Sequence, residues 1–379
     1  SEADWIVGLN ATRFFTVEYG KRNLLLSIGR VQTPILAMIV GRDHEIEKFD
    51  SNDYWEVHTV ANGAKFRHVK GKFEQLPNAE AIVRKVTGQE LIIKGVQKKN
   101  ENANAPQLYD LTELQRDLNK RYGFTADQTL RIAQNLYESK HITYPRTDSR
   151  YLTSDLKPTI APLLEKFRFH RSKAIDQLDL QNLKFTNRIV DDKKVSDHHA
   201  IIPTDELPSK LNHDEKKLYD AVLTRLIAVF YPPCVKAITT VDAQSANEPF
   251  RVRGTVLVDL GWQALYPGGA KGPSAKKAAK KTTSSQSLEQ TLPDFQEGER
   301  YSHKPSIEKF RTSPPKRFTE ASLLQLMETA GKIVNDEELK EALKDKGVGT
   351  PATRASIIEV LIQRNYIERK RKNLISTSN

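Results

Sequence analysis

The segment HITYPRTDSRYL, from His141 to Leu152, places a tyrosine, a proline, two arginines, a threonine and an aspartate within one short stretch. A free tyrosine titrates near pH ~10, so its phenolate is scarce at neutral pH. Attack by Tyr144 on a phosphodiester therefore needs cationic neighbours that favour the phenolate and stabilise charge building on the phosphorus. In an extended segment Arg146 points to the same side as Tyr144, and its planar fork suits a phosphate. Pro145 fixes the backbone between them and removes a competing donor. Thr147 and Asp148 are placed to bond local backbone or to orient the arginine. A bare Tyr-x-Arg tripeptide is most often a half-buried strand tyrosine with a surface arginine, so the remainder of the chain must decide.

Two further stretches carry candidate chemistry. SDHHAIIPT holds His198 and His199, and a histidine there could relay a proton or bind phosphate near neutral pH. An isolated His-His pair is more often plain filler. In GRVQTP a Gly-Arg turn opens a helix, which is a sensible phosphate site. No Asp-x-Asp-x-Glu cluster occurs. The acidic stretches at Asp179 (LDL) and Asp336 (VNDEEL) read as solvated faces. There is no Gly-x-x-x-x-Gly-Lys-Ser/Thr. Cys234 is the only cysteine, which excludes an intramolecular disulfide and a multi-cysteine zinc site and suits a reducing, cytoplasmic setting. A metal-dependent relaxase would need a third histidine near His198 and His199, and a tyrosine recombinase a spread Arg…His-x-x-Arg set; neither is seen. Asn10-Ala11-Thr12 matches a glycosylation sequon, which carries little weight in a cytoplasmic chain.

The 379 residues exceed what one core usually serves, predicting two to four lobes. Lys and Arg number 59 against 48 Asp and Glu, a net charge of +11 that favours a polyanionic partner. No run approaches the ~20 apolar residues of a membrane span. SEADWIVGLN lacks the features of a signal peptide and reads as the interior of a larger protein. Helical spacing governs the first fifty residues, with Pro34 in the first turn of the helix carrying Val31, Ile35, Met38 and Ile39. Strand patterns follow from DYWEVHTV to ELIIKGVQKK. Capping-box spacings at Asp110/Glu113 and Thr125/Gln128 then open two helices, the second bearing Ala126, Leu130, Ala133, Leu136 and Tyr137 as its apolar stripe and ending in the tyrosine segment. Strands return in VKAITTVDAQ and PFRVRGTVLVDLGW. The basic stretch at residues 270–287 reads as a flexible loop. At the end, Thr350 and Pro351 open a helix, and YIERKRKNLI reads as a basic hairpin, together a winged-helix-like unit.

The tyrosine segment resembles the active-site signature of type IA DNA topoisomerases, most like bacterial topoisomerase III. EADWIVGLNATR, SIGRVQTPILAMIV, LYDLTELQRDLNKRYGF, VSDHHAIIPT, PPKRFTEASLLQLME and GVGTPATRASIIEVL resemble family blocks in family order, over nearly the whole chain. The resemblance implies an α+β multidomain fold: a toroid with a β-rich arch (52–108 and 233–305), a helical tyrosine domain (109–232), and a helical base with a winged-helix-like end (1–51 and 306–379). It implies Tyr144 as the nucleophile forming a 5′-phosphotyrosyl link, with Arg146 holding the scissile phosphate and His198 as the active-site histidine. Arg30 and Gln32 fall on positions that grip single-stranded DNA. Arg13, Thr147, Asp148, Arg150, His199, Thr353 and Arg354 are further DNA-contact candidates. The family's catalytic glutamate and magnesium-binding Asp-x-Asp reside in a Toprim domain, expected to be missing from this chain. No metal or cofactor is therefore expected within it, and relaxation by these residues alone should be absent or very weak. The expected partners are single-stranded DNA, duplex DNA passing through the hole and a helicase, with no membrane, in a nucleoid-associated cytoplasmic setting. A single-strand-binding module with an idle Tyr144 is the alternative.

Overall fold

The computed structural model describes residues 2–20, 25–266, 292–329 and 347–378, without the side chains of residues 3 and 4. The basic stretch at 270–287 and the acidic stretch at Asp336 lie outside the described residues. The chain divides into two compact units, each assembled from separate segments. One comprises Ser1–Lys48, Gln107–Ile227 and Pro315–Asn379; the other comprises Phe49–Pro106 and Ala228–Pro314.

The second unit is built on antiparallel strands β1 (Asp53–Ala61), β2 (Ala64–Phe73), β3 (Glu90–Ala103), β4 (Cys234–Ser245), β5 (Glu248–Asp259), β6 (Arg300–Ser302) and β7 (Lys304–Arg311). They form one sheet in the order β6-β3-β4-β5-β2-β1-β7. β1 and β2 meet at Asn62-Gly63, and β4 and β5 at Ala246-Asn247. All four residues have positive φ, the backbone that lets a two-residue turn follow the right-handed twist of the strands. β7 pairs with β1 from Lys304–Val60 to Arg311–Asp53, so it runs through the division expected between residues 305 and 306. A helix that strand patterning does not announce, α3 (Leu76–Val86), follows β2 in the chain. Ala79 and Val86 are fully buried, and Ile82 and Val83 pack beside them on Val57, Phe66, Phe73, Leu91 and Phe250 of the sheet. Helical spacing of these residues around Pro77 explains the element in retrospect. Cys234 is buried with its thiol free.

The first unit is mostly helical. In chain order, α1 (Glu2–Tyr19) and α2 (Gln32–Glu47) precede the sheet segments, and α4 (Leu111–Tyr122), α5 (Ala126–Glu138), α6 (Lys157–Lys166), α7 (Arg168–Ile175) and α8 (His213–Ala228) form the central block. The last segment adds α9 (Glu320–Thr329), α10 (Pro351–Gln363) and a hairpin of β8 (Ile367–Lys370) and β9 (Asn373–Ser376). Ile35 and Ile39 of α2, Leu323, Leu324 and Met327 of α9, Ile358 and Leu361 of α10, and Leu374 of β9 share one core, which also takes in Ala126 of α5.

The anticipated caps form in part. Asp110 accepts the Glu113 N–H at 2.6 Å, and Thr125 accepts the Gln128 N–H at 3.0 Å. The reciprocal halves do not, because Glu113 pairs with Arg116 and the Gln128 amide donates to Asp214. α4 stops at Gly123, whose φ of 77° closes the helix in a backbone region costly for any residue with a Cβ.

Candidate active site

α5 ends in two reciprocal bonds: the Lys140 N–H donates to the Tyr137 carbonyl and the His141 N–H to the Leu136 carbonyl, both at 2.8 Å. This is a Schellman closure with Lys140, at φ 61°, in the position that glycine usually fills. It turns the chain into an extended run that lies beside the SDHHAIIPT segment. The Thr143 N–H donates to the Ile202 carbonyl at 2.9 Å, the Thr204 N–H to the His141 carbonyl at 3.1 Å, and the Ala200 N–H to the Tyr151 carbonyl at 2.9 Å. The Thr143 hydroxyl donates to the Ala200 carbonyl and accepts from the Ile202 N–H. Two motifs separated by some fifty residues of sequence thus form a single local structure.

Within it the Tyr144 ring is flanked by two others. His198 lies 4.4 Å away between ring centroids, inclined at 45°, and Tyr137 lies 5.3 Å away, edge-on at 78°. Tyr144 is half-buried, whereas Arg146 is exposed and, among the described residues, makes no ion pair or hydrogen bond. The Arg146 guanidinium, two residues along the chain from the phenol, is therefore open to an anion. Thr147 is buried and donates to the His198 carbonyl at 2.7 Å, which ties the histidine to the tyrosine segment. Asp148 is exposed. His199 Nδ1 sits 2.8 Å from the Ala200 carbonyl, so in the neutral ring Nδ1 carries the proton and Nε2 keeps its lone pair.

Arg150 faces inward. Its Nε meets Asp110 Oδ2 at 2.5 Å and its Nη2 meets Glu328 Oε1 at 2.7 Å, which ties the tyrosine segment to the start of α4 and the end of α9. Burial pushes the Asp110 carboxyl up to about 6, even though Arg150 and the Glu113 N–H both favour the carboxylate. Burial costs the charged form more than these partners return.

Among the described residues, the remaining candidates make no ring contact with Tyr144. Arg13 on α1 and Arg30 before α2 are exposed. The Gln32 amide donates to Ser27 Oγ at 3.1 Å and accepts from Arg364 at 2.9 Å, so it braces the turn. A Cβ on Gly29 would fall 2.8 Å from Gln32 Cγ, so a larger residue there would push the Gln32 side chain aside. Thr353 is taken up in the cap of α10, where it accepts the Thr350 N–H at 3.0 Å. Arg354, expected to reach DNA, is instead 3% exposed, with its guanidinium donating to Thr112 at 3.0 Å and the Val348 carbonyl at 3.3 Å. Its position one turn into the helix faces the α4 side, which the motif does not reveal. Tyr137 and Glu328 enter the site although sequence reasoning did not single them out as functional. The signal for Tyr137 was its place in the last turn of the helix that delivers Tyr144.

Comparison with known proteins identifies the family. A family model described as DNA topoisomerase matches residues 1–379, and the chain belongs to that family. Among the relatives, DNA topoisomerase 3 of Bacillus subtilis (strain 168) is 38% identical over 391 residues, covering 100% of this chain and 52% of its own length. DNA topoisomerase 3 of Shouchella clausii (strain KSM-K16) is 39% identical over 393 residues, covering 98% and 51%. The chain thus spans about half the length of the curated relatives it matches. Full-length topoisomerase I from Thermotoga maritima shares the fold with a TM-score of 0.69 at 23% identity, over 99% of this chain and 57% of that one. The type IA resemblance read from the sequence is borne out. Among the described residues, no helix is long and apolar enough to cross a membrane.

Proposed function

We propose that this chain carries the nucleophile of a type IA topoisomerase, with Tyr144 cutting one DNA strand to let another pass. The observation that supports it most is the packing of the half-buried Tyr144 ring against Tyr137 and His198, in a segment whose exposed Arg146, two residues on, keeps its guanidinium unengaged among the described residues. In this reading the Tyr144 oxygen bonds the scissile phosphorus as the 3′ oxygen departs. The phenolic proton is lost and the departing oxygen gains one. Arg146 steadies charge on the phosphate, a contribution of the size an oxyanion donor makes, and His198, whose ring packs on Tyr144, is assigned the proton transfer. Reversal by the 3′-hydroxyl restores both the strand and the tyrosine. The same reading takes single-stranded DNA as the cut strand, duplex DNA as the strand passed and a helicase as companion enzyme.

Magnesium serves rejoining and DNA geometry in this family. Among the described residues no group of three or more His, Cys, Asp or Glu side chains could hold a metal ion. The described residues do not fit that role. On this reading, relaxation by these residues alone is absent or very weak.

The test uses an end-labelled single-stranded oligonucleotide and magnesium, with and without the Toprim domain of a relative. A denaturation-resistant adduct mapped to Tyr144, abolished by Tyr144→Phe, is the expected result. Binding with no adduct under either condition would favour a single-strand-binding module instead.

A further inference from the structure

A second surface of the helical unit has the features of a nucleic-acid contact and shares no residue with the Tyr144 site. The β8–β9 hairpin turns at Arg371, φ 60°, so Lys370, Arg371 and Lys372 form an exposed cationic tip. That tip lies against the end of α4. A Cβ on Gly123 would come 3.8 Å from Lys372 Cε, and Asn119, Gly123 and Thr125 line a cleft with Arg369, Arg371 and Lys372. Lys120 and Tyr122, both exposed, occupy the last turn of α4. Tyr122 is 42% exposed, with the Phe124 ring 5.7 Å away and the Lys217 ammonium 5.4 Å from its centroid.

The neighbouring carboxylates are already committed. Glu320 pairs with Arg369 at 2.7 Å and accepts the Ala126 N–H at 2.6 Å; Asp117 pairs with Arg121 at 2.8 Å and Asp214 with Lys217 at 3.1 Å. Lys120, Lys370, Arg371 and Lys372 make no ion pair among the described residues. The unspent cations of the tip, one of which reaches Gly123 beside the exposed Tyr122 ring, meet the requirements of a single-strand platform, where cations follow the backbone and a ring stacks on an unpaired base.

We propose that Lys120, Tyr122 and the Lys370–Lys372 tip bind single-stranded DNA beyond the cleavage site. The cations take phosphates and Tyr122 stacks on one base. This rests on DNA being the substrate, as argued above, but not on the chemistry at Tyr144.

The test is fluorescence anisotropy of the chain with a labelled single-stranded 30-mer and with the matching duplex, over a range of salt. Tyr122→Ala should weaken single-strand binding about tenfold, the scale of one lost stacking contact, and leave the duplex unchanged; Tyr122→Phe should bind as the parent does. Joint replacement of Lys370, Arg371 and Lys372 by Gln should lower the salt slope for the single strand by about two, as expected for three lost phosphate contacts. Parent-like affinity and slope in both variants would overturn the inference while leaving the proposed function intact. An equal loss on duplex and single strand with Tyr122→Ala would also overturn it. If the parent chain bound neither DNA, the proposed function and this inference would fail together.

Discussion

The Thr147 hydroxyl donates to the backbone carbonyl of His198 at 2.7 Å, while its oxygen accepts the Ser149 N–H at 3.1 Å. One buried side chain thus holds the tyrosine segment and the histidine segment in register. Thr147→Val keeps the shape but strands both partners, at about 1–3 kcal/mol for a buried unsatisfied group. If half of that falls on the reacting geometry, formation of the Tyr144 adduct slows roughly two- to tenfold. Thr147→Ser keeps the hydroxyl and should remain near the parent rate in the oligonucleotide assay. Equal loss in both variants would point to packing of the methyl group rather than the bond.

Arg146 offers a planar fork, which a lysine does not reproduce. Arg146→Lys should therefore cleave much more slowly while binding the oligonucleotide almost normally, and Arg146→Ala should lose roughly 100-fold in cleavage, the scale of an oxyanion donor. Single-turnover adduct formation compared with equilibrium binding separates the two effects. A parent-like rate in Arg146→Lys would show that charge alone suffices.

Asp110 provides a pH test. Its folded carboxyl titrates near 6, above the ordinary carboxylate range, because it is buried. A group raised in the folded state contributes stability below its unfolded pKa and loses that contribution as pH rises through its folded one. Thermal stability of the parent should therefore carry a component that declines between about pH 4 and pH 6. Asp110→Asn should flatten that component, even though it also weakens the cap of α4 and the hold on Arg150. Melting temperatures of both proteins from pH 4 to 7 provide the measurement, and parallel curves would exclude the assignment.

Lys140 occupies a left-handed backbone region without being glycine, which costs roughly 1 kcal/mol. Lys140→Gly should raise the melting temperature by a few degrees. It should leave Tyr144 in place, because the two Schellman bonds are backbone bonds. A lowered melting temperature would mean that the Lys140 side chain contributes more than its strain removes.

Much of this architecture is legible in local sequence, because caps, turns and strand alternation are decided within a few residues. Asp110, Thr125 and Pro351 mark helix starts, and YIERKRKNLI announces a hairpin that forms as expected, from Ile367 to Ser376. What escapes is set by partners far away in the chain. Arg150 looks like one more basic residue of a DNA-binding segment, but its partner Glu328 lies 178 residues on. Arg354 looks like a backbone contact because its motif is basic, and only the packing of α10 on α4 shows it buried against Thr112. α3 was hidden because a single amphipathic helix between strands resembles a strand when its sheet is unknown. The family signature shows which segments matter, and the ring of Tyr137 beside Tyr144 shows what local order adds to it.

The separation of β3 from β4 has a consequence for the chain's birth on the ribosome. Their ladder runs from Ile92–Gln244 to Ala103–Cys234, so the central helical block must be synthesised before the sheet can close. At about 5–20 residues per second, β3 waits roughly ten seconds for its neighbour. The edge strand β7 arrives later still, followed by α9 and α10, which supply much of the core of the other unit. The sheet unit can therefore close once β7 has emerged, while the helical unit still waits for its last segment. Non-local closure of this kind predicts slow maturation and a nascent chain whose unpaired strand edges need shielding until β7 emerges.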